Sequence, residues 1–354
     1  MFMSIYWSEK ARLLQPYTPG EQPKLNNLVK LNTNENPFEP SPKVMEAMHD
    51  AINADLRLYP DPEANLLKQT IAEYYHISSA QVFVGNGSDE VLALAFAAFF
   101  QGKNNLLLPE ISYSFYPVYC QLYDVQARLI PLDNDLAINP EDYQHAQGGV
   151  VIANPNAPTG RLLSLKQIEQ IVQANPAGVV LVDEAYIDFG GQSAVKLITQ
   201  YPNLLVIQTL SKSRSLAGLR VGLALGQSEL IVGMEKVKNS FNSYPLDRVA
   251  QAGAIAAFTD EAYFRQTCKQ VVENRLWLVE ELKALDFNVL PSAANFVFVS
   301  HACYAAELIY QRLHQLGVIV RHFKQSRIDN YLRISVGTIE QQQQLITALK
   351  TILI

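Results

Sequence analysis

The hydrophobic residues in the first two thirds of this chain form short uninterrupted runs, separated by segments with helical periodicity. Runs that are apolar at every position are typical of parallel strands that helices cover on both faces. Six such runs predict strands: Gln81–Val84, Asn105–Leu108, Val150–Ala153, Val179–Val182, Leu204–Ile207 and Val221–Leu225. Amphipathic patterns between them predict helices: Asp89–Phe100, Ser164–Asn175 and Ser193–Thr199. This alternation predicts an α/β fold whose mostly parallel central sheet is sandwiched by helices.

The pattern changes after about residue 245, where a long amphipathic helix is predicted over roughly 261–285. Further strands are predicted near Phe296–Val299, Val318–Val320 and Leu332–Val336, and further helices at Ala302–Leu316 and Ile339–Leu353. Four turn-forming residues near the start indicate an extended segment: Pro16, Pro19, Gly20 and Pro23. We therefore expect an arm over residues 1–29 that packs with the small domain or a partner subunit, a large domain over 30–244, and a small α+β domain over 245–354.

Composition and charge narrow the class of protein. Of the 354 residues, 49% are hydrophobic and 18% are charged, which allows a large core and argues against disorder. A net charge of −6 argues against a nucleic-acid surface. The apolar run Val91–Phe100 is far shorter than the roughly 20 residues of a membrane helix, and no secretory signal opens the chain. Cys120, Cys268 and Cys303 are too few and too widely spaced for a disulfide framework or zinc site, so we expect a cytoplasmic protein without a metal.

A single lysine, Lys212, follows the predicted strand Leu204–Ile207 and stands among hydroxyl residues in Ser-Lys-Ser-Arg-Ser (211–215). Burying a lysine is costly unless its ammonium finds a partner or gives up its proton. An uncharged lysine amine can form a Schiff base with an aldehyde cofactor. Arg220 lies eight positions later, and arginine grips phosphate oxygens with a fixed fork of donors. Together these residues predict a lysine that holds pyridoxal 5′-phosphate.

Other motifs fall at the ends of predicted strands, where open α/β sheets bind ligands. In Val-Gly-Asn-Gly-Ser-Asp-Glu (84–90), Ser88 and Asp89 open a helix whose free amides favour an anion. A strand-to-helix turn capped by Ser88 or Asp89 is the structural alternative. The loop Asn-Pro-Asn-Ala-Pro-Thr-Gly (154–160) is either a ligand wall or simply a turn.

The motif Val-Asp-Glu-Ala-Tyr (182–186) directly follows another predicted strand. Asp183 is placed to keep a pyridine nitrogen protonated, so that the ring can accept electrons, and Tyr186 could bond the phenolic oxygen of that ring. The alternative is that Asp183 caps the next helix. We expect Glu184 to be an exposed or structural partner.

Two tyrosines stand in rigid or strand-following positions. Tyr59 lies in Leu-Tyr-Pro-Asp-Pro (58–62), and Tyr113 follows a strand in Pro-Glu-Ile-Ser-Tyr (109–113). Tyr113 could stack on a flat ring, although tyrosines of this kind more often serve packing alone.

The ordered set of motifs resembles the fold-type I pyridoxal-phosphate-dependent aminotransferases, and within them the histidinol-phosphate aminotransferase family. The resemblance runs from Pro-Tyr-Thr-Pro-Gly (16–20) and Asn-Thr-Asn-Glu-Asn-Pro (32–37) to Leu-Arg-Ile-Ser-Val-Gly-Thr (332–338). It implies Lys212 as the Schiff-base lysine and acid/base, Asp183 on the pyridine nitrogen, Tyr186 on the phenolic oxygen and Tyr113 stacked on the ring. It also implies a set of residues that holds the cofactor phosphate: Ser88, Asp89, Thr209, Ser211 and Arg220.

The resemblance further implies that Tyr59 reaches the phosphate of the cofactor bound by a partner subunit, so a homodimer is expected. One position departs from the family pattern: Ala157 stands where the family usually has an asparagine that contacts the phenolic oxygen. A hydrogen bond contributes roughly 0.5–1.5 kcal/mol, so its loss should tune the cofactor rather than abolish its binding. Asn156 or a water is the expected substitute.

Substrate choice is expected to depend on the small domain. In Tyr-Leu-Arg-Ile-Ser (331–335), strand alternation places Arg333 on the polar face, where it matches the family arginine that grips the substrate anion. Arg321 matches a second arginine that faces a distal anion, and Tyr17 is a further expected phosphate contact.

The resemblance implies ping-pong transamination between L-histidinol phosphate and 2-oxoglutarate in histidine biosynthesis. Two alternatives share the fold: an aminotransferase for aromatic amino acids, and a decarboxylase of threonine phosphate. A third alternative is a non-catalytic protein that senses a ligand with this fold.

Overall fold

A computed structural model of the chain describes residues 5–18, 20–22 and 28–353. The helices are numbered in chain order: α1 Glu9–Leu13, α2 Pro42–Ala51, α3 Asn65–Tyr75, α4 Gly87–Ala95, α5 Tyr116–Leu122, α6 Leu165–Ala174, α7 Ser228–Phe241, α8 Arg248–Thr259, α9 Glu261–Lys283, α10 Ala306–Gln315 and α11 Ile339–Ile352. Within the described residues, no helix is both long enough and apolar enough to cross a membrane.

The strands are numbered in the same way: β1 Val29–Lys30, β2 Val82–Asn86, β3 Asn104–Pro109, β4 Gln126–Ile130, β5 Val150–Ala153, β6 Val180–Asp183, β7 Leu204–Thr209, β8 Val221–Gly226, β9 Phe287–Val289, β10 Phe296–His301, β11 Val318–Ile319, β12 Arg321–His322 and β13 Leu332–Ser335. A π-helical turn, Phe96–Phe100, continues α4. Short 3₁₀ turns connect several of these elements, as at Ala194–Leu197, where a longer helix was predicted.

A seven-stranded sheet has the order β2-β8-β7-β6-β5-β3-β4. The prediction of a mostly parallel sheet is confirmed, since β3, β4, β5, β6 and β7 pair in parallel. The inclusion of Val221–Leu225 among the parallel strands was wrong, because β8 is antiparallel to both β2 and β7. The connection from Thr209 to Val221 is too short for the crossover that a parallel neighbour needs.

Both faces of this sheet are covered, which explains the uninterrupted apolar runs. On β7, Leu204 and Val206 belong to the core on one face, and Leu205 and Ile207 belong to the core on the other. The edge strand β4 was not predicted, because four of its five residues are exposed and its sequence has no apolar run.

A second, four-stranded sheet has the order β12-β13-β10-β9 and shares an apolar core with α9, α10 and α11. The parallel pair β1–β11 links the start of the chain to this region. Helix α10 begins at Ala306 rather than Ala302, and the helices α2, α3, α7 and α8 were not predicted. The domain boundary between residues 244 and 245 stays a prediction.

The predicted arm is only partly described, since residues 1–4, 19 and 23–27 lie outside the described residues. The expectation of an extended arm is wrong over α1, which Ser8 caps through its hydroxyl oxygen. Lys10 forms an ion pair with Asp124 near α5, whereas Glu21 lies 3.2 Å from His314 on α10.

Candidate functional site

A cavity of about 530 Å³ lies between the edge of the seven-stranded sheet and the four-stranded sheet. The predicted site residues that line it come from both halves of the chain: Tyr17, Ser88, Asp89, Tyr113, Asp183, Tyr186, Thr209, Ser211, Lys212, Arg220, Arg321 and Arg333. Tyr59 is the predicted site residue that does not line it. The structure therefore brings together residues that are scattered along the sequence.

The direction of the strands explains this convergence. The parallel strands β3, β5, β6 and β7 end at one edge of the sheet, and β2 ends there too because it is antiparallel to β8. Strand β8 begins at this same edge because of its reversed direction. Arg220, which immediately precedes β8, therefore reaches the site from the opposite chain direction to Lys212.

Arg220 and the first turn of α4 form a cationic cradle at one end of the cavity. The Arg220 Nη2 donates to Asp89 Oδ2 at 3.1 Å, and its Nη1 lies 3.5 Å from the Ser211 oxygen. Thr209 donates to Ser211 at 3.0 Å. Gly87 has φ +76°, and a Cβ there would lie 2.3 Å from Nη2 of Arg220. Glycine thus lets the guanidinium pack against the helix start, where free amides and Ser88 favour an anion.

The side chain of Asp89 has two partners in the structure. Its carboxylate accepts hydrogen bonds from Arg220 and, at 2.9 Å, from the hydroxyl of Tyr113. A carboxylate repels a phosphate group, so this side chain is suited to holding the arginine and the tyrosine in place. The part of Asp89 in holding a phosphate stays a prediction.

Lys212 is half-buried near the centre of the cavity. Its Nζ donates to the backbone oxygen of Thr33 at 3.2 Å and lies 5.7 Å from the centre of the Tyr186 ring. The backbone around it is fixed, because the side-chain amide of Asn36 donates to the carbonyl oxygens of Lys212 and Ser213. The amine is thus held on a fixed turn, with the backbone oxygen of Thr33 as its hydrogen-bond partner among the described residues.

Asp183 is the last residue of β6, and its side chain is buried. Burial raises the pKa of the Asp183 carboxyl to about 6, although hydrogen bonds and Lys212 act in the opposite direction. The hydroxyl of Tyr116 donates to Asp183 Oδ2 at 2.8 Å, and the N–H of Ala185 donates to Oδ1 at 3.2 Å. A buried carboxylate of this kind is stabilised by a cationic partner in the cavity.

Tyr186 packs edge-on against Phe296, with ring centres 5.1 Å apart, in a small apolar cluster that includes Ala157. Its hydroxyl oxygen accepts a hydrogen bond of 3.1 Å from the side-chain amide of Asn34. Asn156 was proposed as a substitute for the missing asparagine at position 157. The structure contradicts this, because its amide group bonds Ser112, Ile111 and Thr159.

Two arginines face the other end of the cavity from neighbouring strands, since Arg321 on β12 is paired with Arg333 on β13. Burial lowers the pKa of the Arg333 guanidinium from its ordinary value, and the nearby Arg321 lowers it further. The Nη2 of Arg333 donates to the backbone oxygen of Asn32 at 2.9 Å. The Nε of Arg333 has no hydrogen-bond partner among the described residues. Two cations and an unused donor are the chemistry that an anion site requires.

The three tyrosines have distinct places. Tyr17 stacks on Phe115 with ring centres 4.8 Å apart and lies 6.3 Å from Tyr113 at the cavity wall. Tyr59 is exposed and stacks on Tyr244, with ring centres 4.6 Å apart. The Tyr59 side chain therefore faces away from the cavity of its own chain.

Sequence reasoning missed Tyr116 and Asn34, which hold Asp183 and Tyr186. The segment Asn-Thr-Asn-Glu-Asn-Pro (32–37) was noted without a role for its side chains, and its three asparagines were the available signal. Glu184 is a structural partner and is not exposed: it accepts from Ser193 and Gln208, and burial raises its pKa to about 7.

Known proteins resemble this chain over nearly its whole length. The family model described as "Aminotransferase class I and II" matches residues 26–349. The "Histidinol-phosphate aminotransferase" of Pseudomonas putida (strain W619) is 60% identical, with 98% of this chain and 100% of that protein covered. The "Histidinol-phosphate aminotransferase" of Acinetobacter baylyi is 58% identical, with 98% and 96% covered.

Solved structures share the fold. The histidinol-phosphate aminotransferase from Sinorhizobium meliloti, solved in complex with pyridoxal-5'-phosphate, matches with a TM-score of 0.84. It is 25% identical, and the match covers 92% of this chain and 90% of that one. The enzyme of the same name from Clostridium acetobutylicum matches with a TM-score of 0.85 at 23% identity, which shows the fold alone. That match covers 92% of this chain and 99% of that one.

Proposed function

This chain belongs to the class I and II aminotransferases, and on that premise we propose that it transfers the amino group of L-histidinol phosphate to 2-oxoglutarate. The products are imidazole acetol phosphate and glutamate, in a step of histidine biosynthesis. Relatives that are 58–60% identical over nearly the whole chain carry the name histidinol-phosphate aminotransferase. The structural observation that carries the proposal is the pair Arg321 and Arg333 at the end of a cavity that also contains Lys212.

The cavity fits pyridoxal 5′-phosphate. At one end, Arg220, Ser211 and the start of α4 form a cradle of hydrogen-bond donors, and a side chain at position 87 would displace the Arg220 guanidinium. At the sheet edge, the buried Asp183 fits a protonated pyridine nitrogen. Near the centre, Lys212 has a primary amine that donates to the backbone oxygen of Thr33. When bound, pyridoxal 5′-phosphate supplies an aldehyde for the amino group and a ring that withdraws electrons from the substrate carbon.

The residues of the chain have separate tasks in this reaction. The Asp183 carboxylate holds a proton on the pyridine nitrogen, which keeps the ring electron-withdrawing. Lys212 would hold the cofactor between turnovers, and its amine would act as the base that takes the proton from the substrate carbon. The hydroxyl of Tyr186 would hydrogen-bond the phenolic oxygen, and Tyr113 would cover one face of the ring. The order of the two half-reactions is ping-pong.

The substrates share one anion site. The planar fork of Arg333 binds a carboxylate or a phosphate through two parallel hydrogen bonds, so glutamate and histidinol phosphate can use it in turn. Arg321 binds the distal carboxylate of glutamate, and Tyr17 contributes a hydroxyl from the arm. The rings of Phe296 and Phe323 lie 5.4 and 5.7 Å from the Arg333 guanidinium carbon and keep the fork in place.

The active unit is a homodimer in this proposal. Two segments of the chain carry exposed apolar side chains, and the stack of Tyr59 on Tyr244 brings these segments together. The exposed side chains are Leu56, Leu58, Tyr59 and Leu66 on the first segment, and Phe241 and Tyr244 on the second. A second copy of the chain covers this surface and receives Tyr59 at its cofactor phosphate. The proposed location is the cytoplasm, where a reducing environment suits the free thiols of Cys120, Cys268 and Cys303.

The test is a half-reaction followed by absorbance on the purified, cofactor-loaded protein. Histidinol phosphate and phenylalanine are added separately in the absence of an amino acceptor, and conversion of the cofactor to its amino form is recorded. We expect fast conversion by histidinol phosphate and a slow response, or none, to phenylalanine. Faster conversion by phenylalanine would show that the enzyme is an aminotransferase for aromatic amino acids. Release of carbon dioxide from threonine phosphate would show that it is a decarboxylase.

A further inference from the structure

Asn34 occupies a conformation and a location that few side chains tolerate. It has φ +54°, in the left-handed region that asparagine adopts more readily than other residues with a side chain. It is almost fully buried, at 1% exposure, between the two sheets. The segment that carries it also provides Thr33, whose backbone oxygen accepts from Lys212. The chain thus keeps a polar side chain in a place where it must be hydrogen-bonded.

The hydrogen bonds of Asn34 fix the orientation of its amide. Its backbone N–H donates to Ser335 Oγ at 2.9 Å, so the Ser335 hydroxyl proton is free to donate elsewhere. That hydroxyl donates to Asn34 Oδ1 at 3.0 Å, and Asn295 Nδ2 donates to the backbone oxygen of Asn34 at 2.9 Å. With Oδ1 facing Ser335, the amide group of Asn34 must point toward Tyr186 as a donor.

The hydroxyl group of Tyr186 has one proton to donate and an oxygen that accepts hydrogen bonds. The oxygen accepts the Asn34 amide hydrogen at 3.1 Å, so the hydroxyl proton cannot point along the same line. The side chains of Ala157 and Phe296, which pack against the ring, offer no acceptor. We propose that Asn34 is a positioning residue that turns the hydroxyl proton of Tyr186 into the cavity, as a donor to an ionised oxygen bound there.

This arrangement also ties Tyr186 to the anion site. Ser335, which holds Asn34, is two residues from Arg333 on the same strand, so both side chains project on one face of β13. Arg333 and the residue that holds Asn34 thus lie on the same face of one strand. The charged groups near Tyr186 include Lys212, Arg333 and Asp183, and none of these three is replaced in the variants compared below. Asn34→Asp adds one carboxylate to them.

The inference rests on the proposed function, because the ionised oxygen is that of pyridoxal 5′-phosphate. A hydrogen bond donated to an ionised oxygen favours the ionised form. Losing that donor raises the pH at which the visible band of the cofactor-loaded protein changes. The band reports on the environment of the oxygen and does not require turnover.

The experiment compares pH titrations of this band in the parent protein and in Asn34→Asp, each with and without Tyr186→Phe. The new carboxylate keeps the size of the side chain and accepts from Ser335, but it also accepts from Tyr186 and draws the hydroxyl proton out of the cavity. We expect the midpoint to rise by about one pH unit in Asn34→Asp. In the Tyr186→Phe background the rise should be clearly smaller, since only the added charge acts there.

Asn34→Gly is the second variant, because glycine accepts φ +54° without strain and removes the donor without adding charge. Asn34→Gly should raise the midpoint of the pH titration less than Asn34→Asp does. This rise should occur only when Tyr186 is present. Equal shifts with and without Tyr186, or no shift in either variant, would overturn the role of Asn34. Absence of a visible band in the parent protein would instead overturn the proposed function.

Discussion

Arg321 and Arg333 lie directly opposite each other on neighbouring antiparallel strands, and both line the same end of the cavity. Like charges at opposed positions destabilise a pair of strands. The ring of Phe323 lies 5.8 Å from the Arg321 guanidinium carbon and 5.7 Å from that of Arg333, so one aromatic ring supports both cations. The repulsion between the two arginines therefore decreases when anions bind to them.

Arg333→Ala should impair both substrates, because glutamate and histidinol phosphate use the same fork. Loss of a charged, bidentate contact should lower kcat/KM about 100-fold for each of them. Arg321→Ala is the matched variant. It should impair glutamate, which has a second carboxylate, more strongly than histidinol phosphate. Steady-state kinetics with each substrate varied would check both. Normal glutamate kinetics in Arg333→Ala would refute the shared site.

Gly87→Ala should weaken cofactor binding without unfolding the protein. The added Cβ would lie 2.3 Å from Arg220 Nη2, and the position has φ +76°. Strain of about 1–2 kcal/mol together with displacement of the guanidinium should raise the Kd for pyridoxal 5′-phosphate at least tenfold. Gly218→Ala is the control, because it also lies near Arg220 in sequence but no atom lies within 4 Å of its added Cβ. Titration of each cofactor-free protein would measure both constants.

Asp183→Asn should make the cofactor-free protein more stable at neutral pH while it abolishes transamination. The folded protein raises the Asp183 pKa from 3.8 to about 6, so it prefers the protonated carboxyl. The stability that this preference contributes is fully present below pH about 4 and is lost as the pH rises through about 6. Relative to the parent, the variant should thus gain up to about 3 kcal/mol between these limits.

Denaturant unfolding of the cofactor-free parent and Asp183→Asn at several pH values would measure this gain. We expect nearly equal free energies of unfolding at pH about 4 and an increasing advantage of the variant up to pH about 7. A difference in stability that does not change with pH would show that Asp183 has an ordinary pKa in the folded protein.

Tyr59 should act on the site of the partner subunit, and mixed dimers can show this. Lys212→Ala should be inactive, and Tyr59→Ala should be strongly impaired. A hybrid of the two has one site with both residues intact if Tyr59 acts across the interface, so mixing should restore up to about a quarter of the parent activity. If Tyr59 acted within its own chain, the hybrid would contain no intact site and mixing would restore nothing.

The sequence was sufficient to predict those features that depend on local pattern. The strands β5 and β6 and the helix α6 were predicted within one or two residues, because buried runs and capping signals are local. Strand β8 was assigned to the parallel set because its apolar run looks the same in either direction, and its direction depends on the length of a connection. The edge strand β4 escaped because exposed strands carry no apolar run.

The site shows the same division. Lys212, Asp183 and Arg220 stand in local motifs beside strands, and the cavity brings them together as expected. Asn34 could not be assigned, because its role depends on Ser335, which lies 301 residues away in the sequence. Long-range hydrogen bonds of this kind leave no periodic signal in the chain.

The cavity is complete only after most of the chain has been synthesised and folded. Its walls include Asn34 and Arg333, from near the two ends, and the cradle of Asp89 and Arg220 spans 131 residues. Contacts between distant segments form late, because closing long loops costs entropy before any contact repays it. During synthesis on the ribosome, a growing chain lacks a finished cavity until β13 has emerged. A finished cavity would thus mark chains that extend through β13 and are correctly assembled.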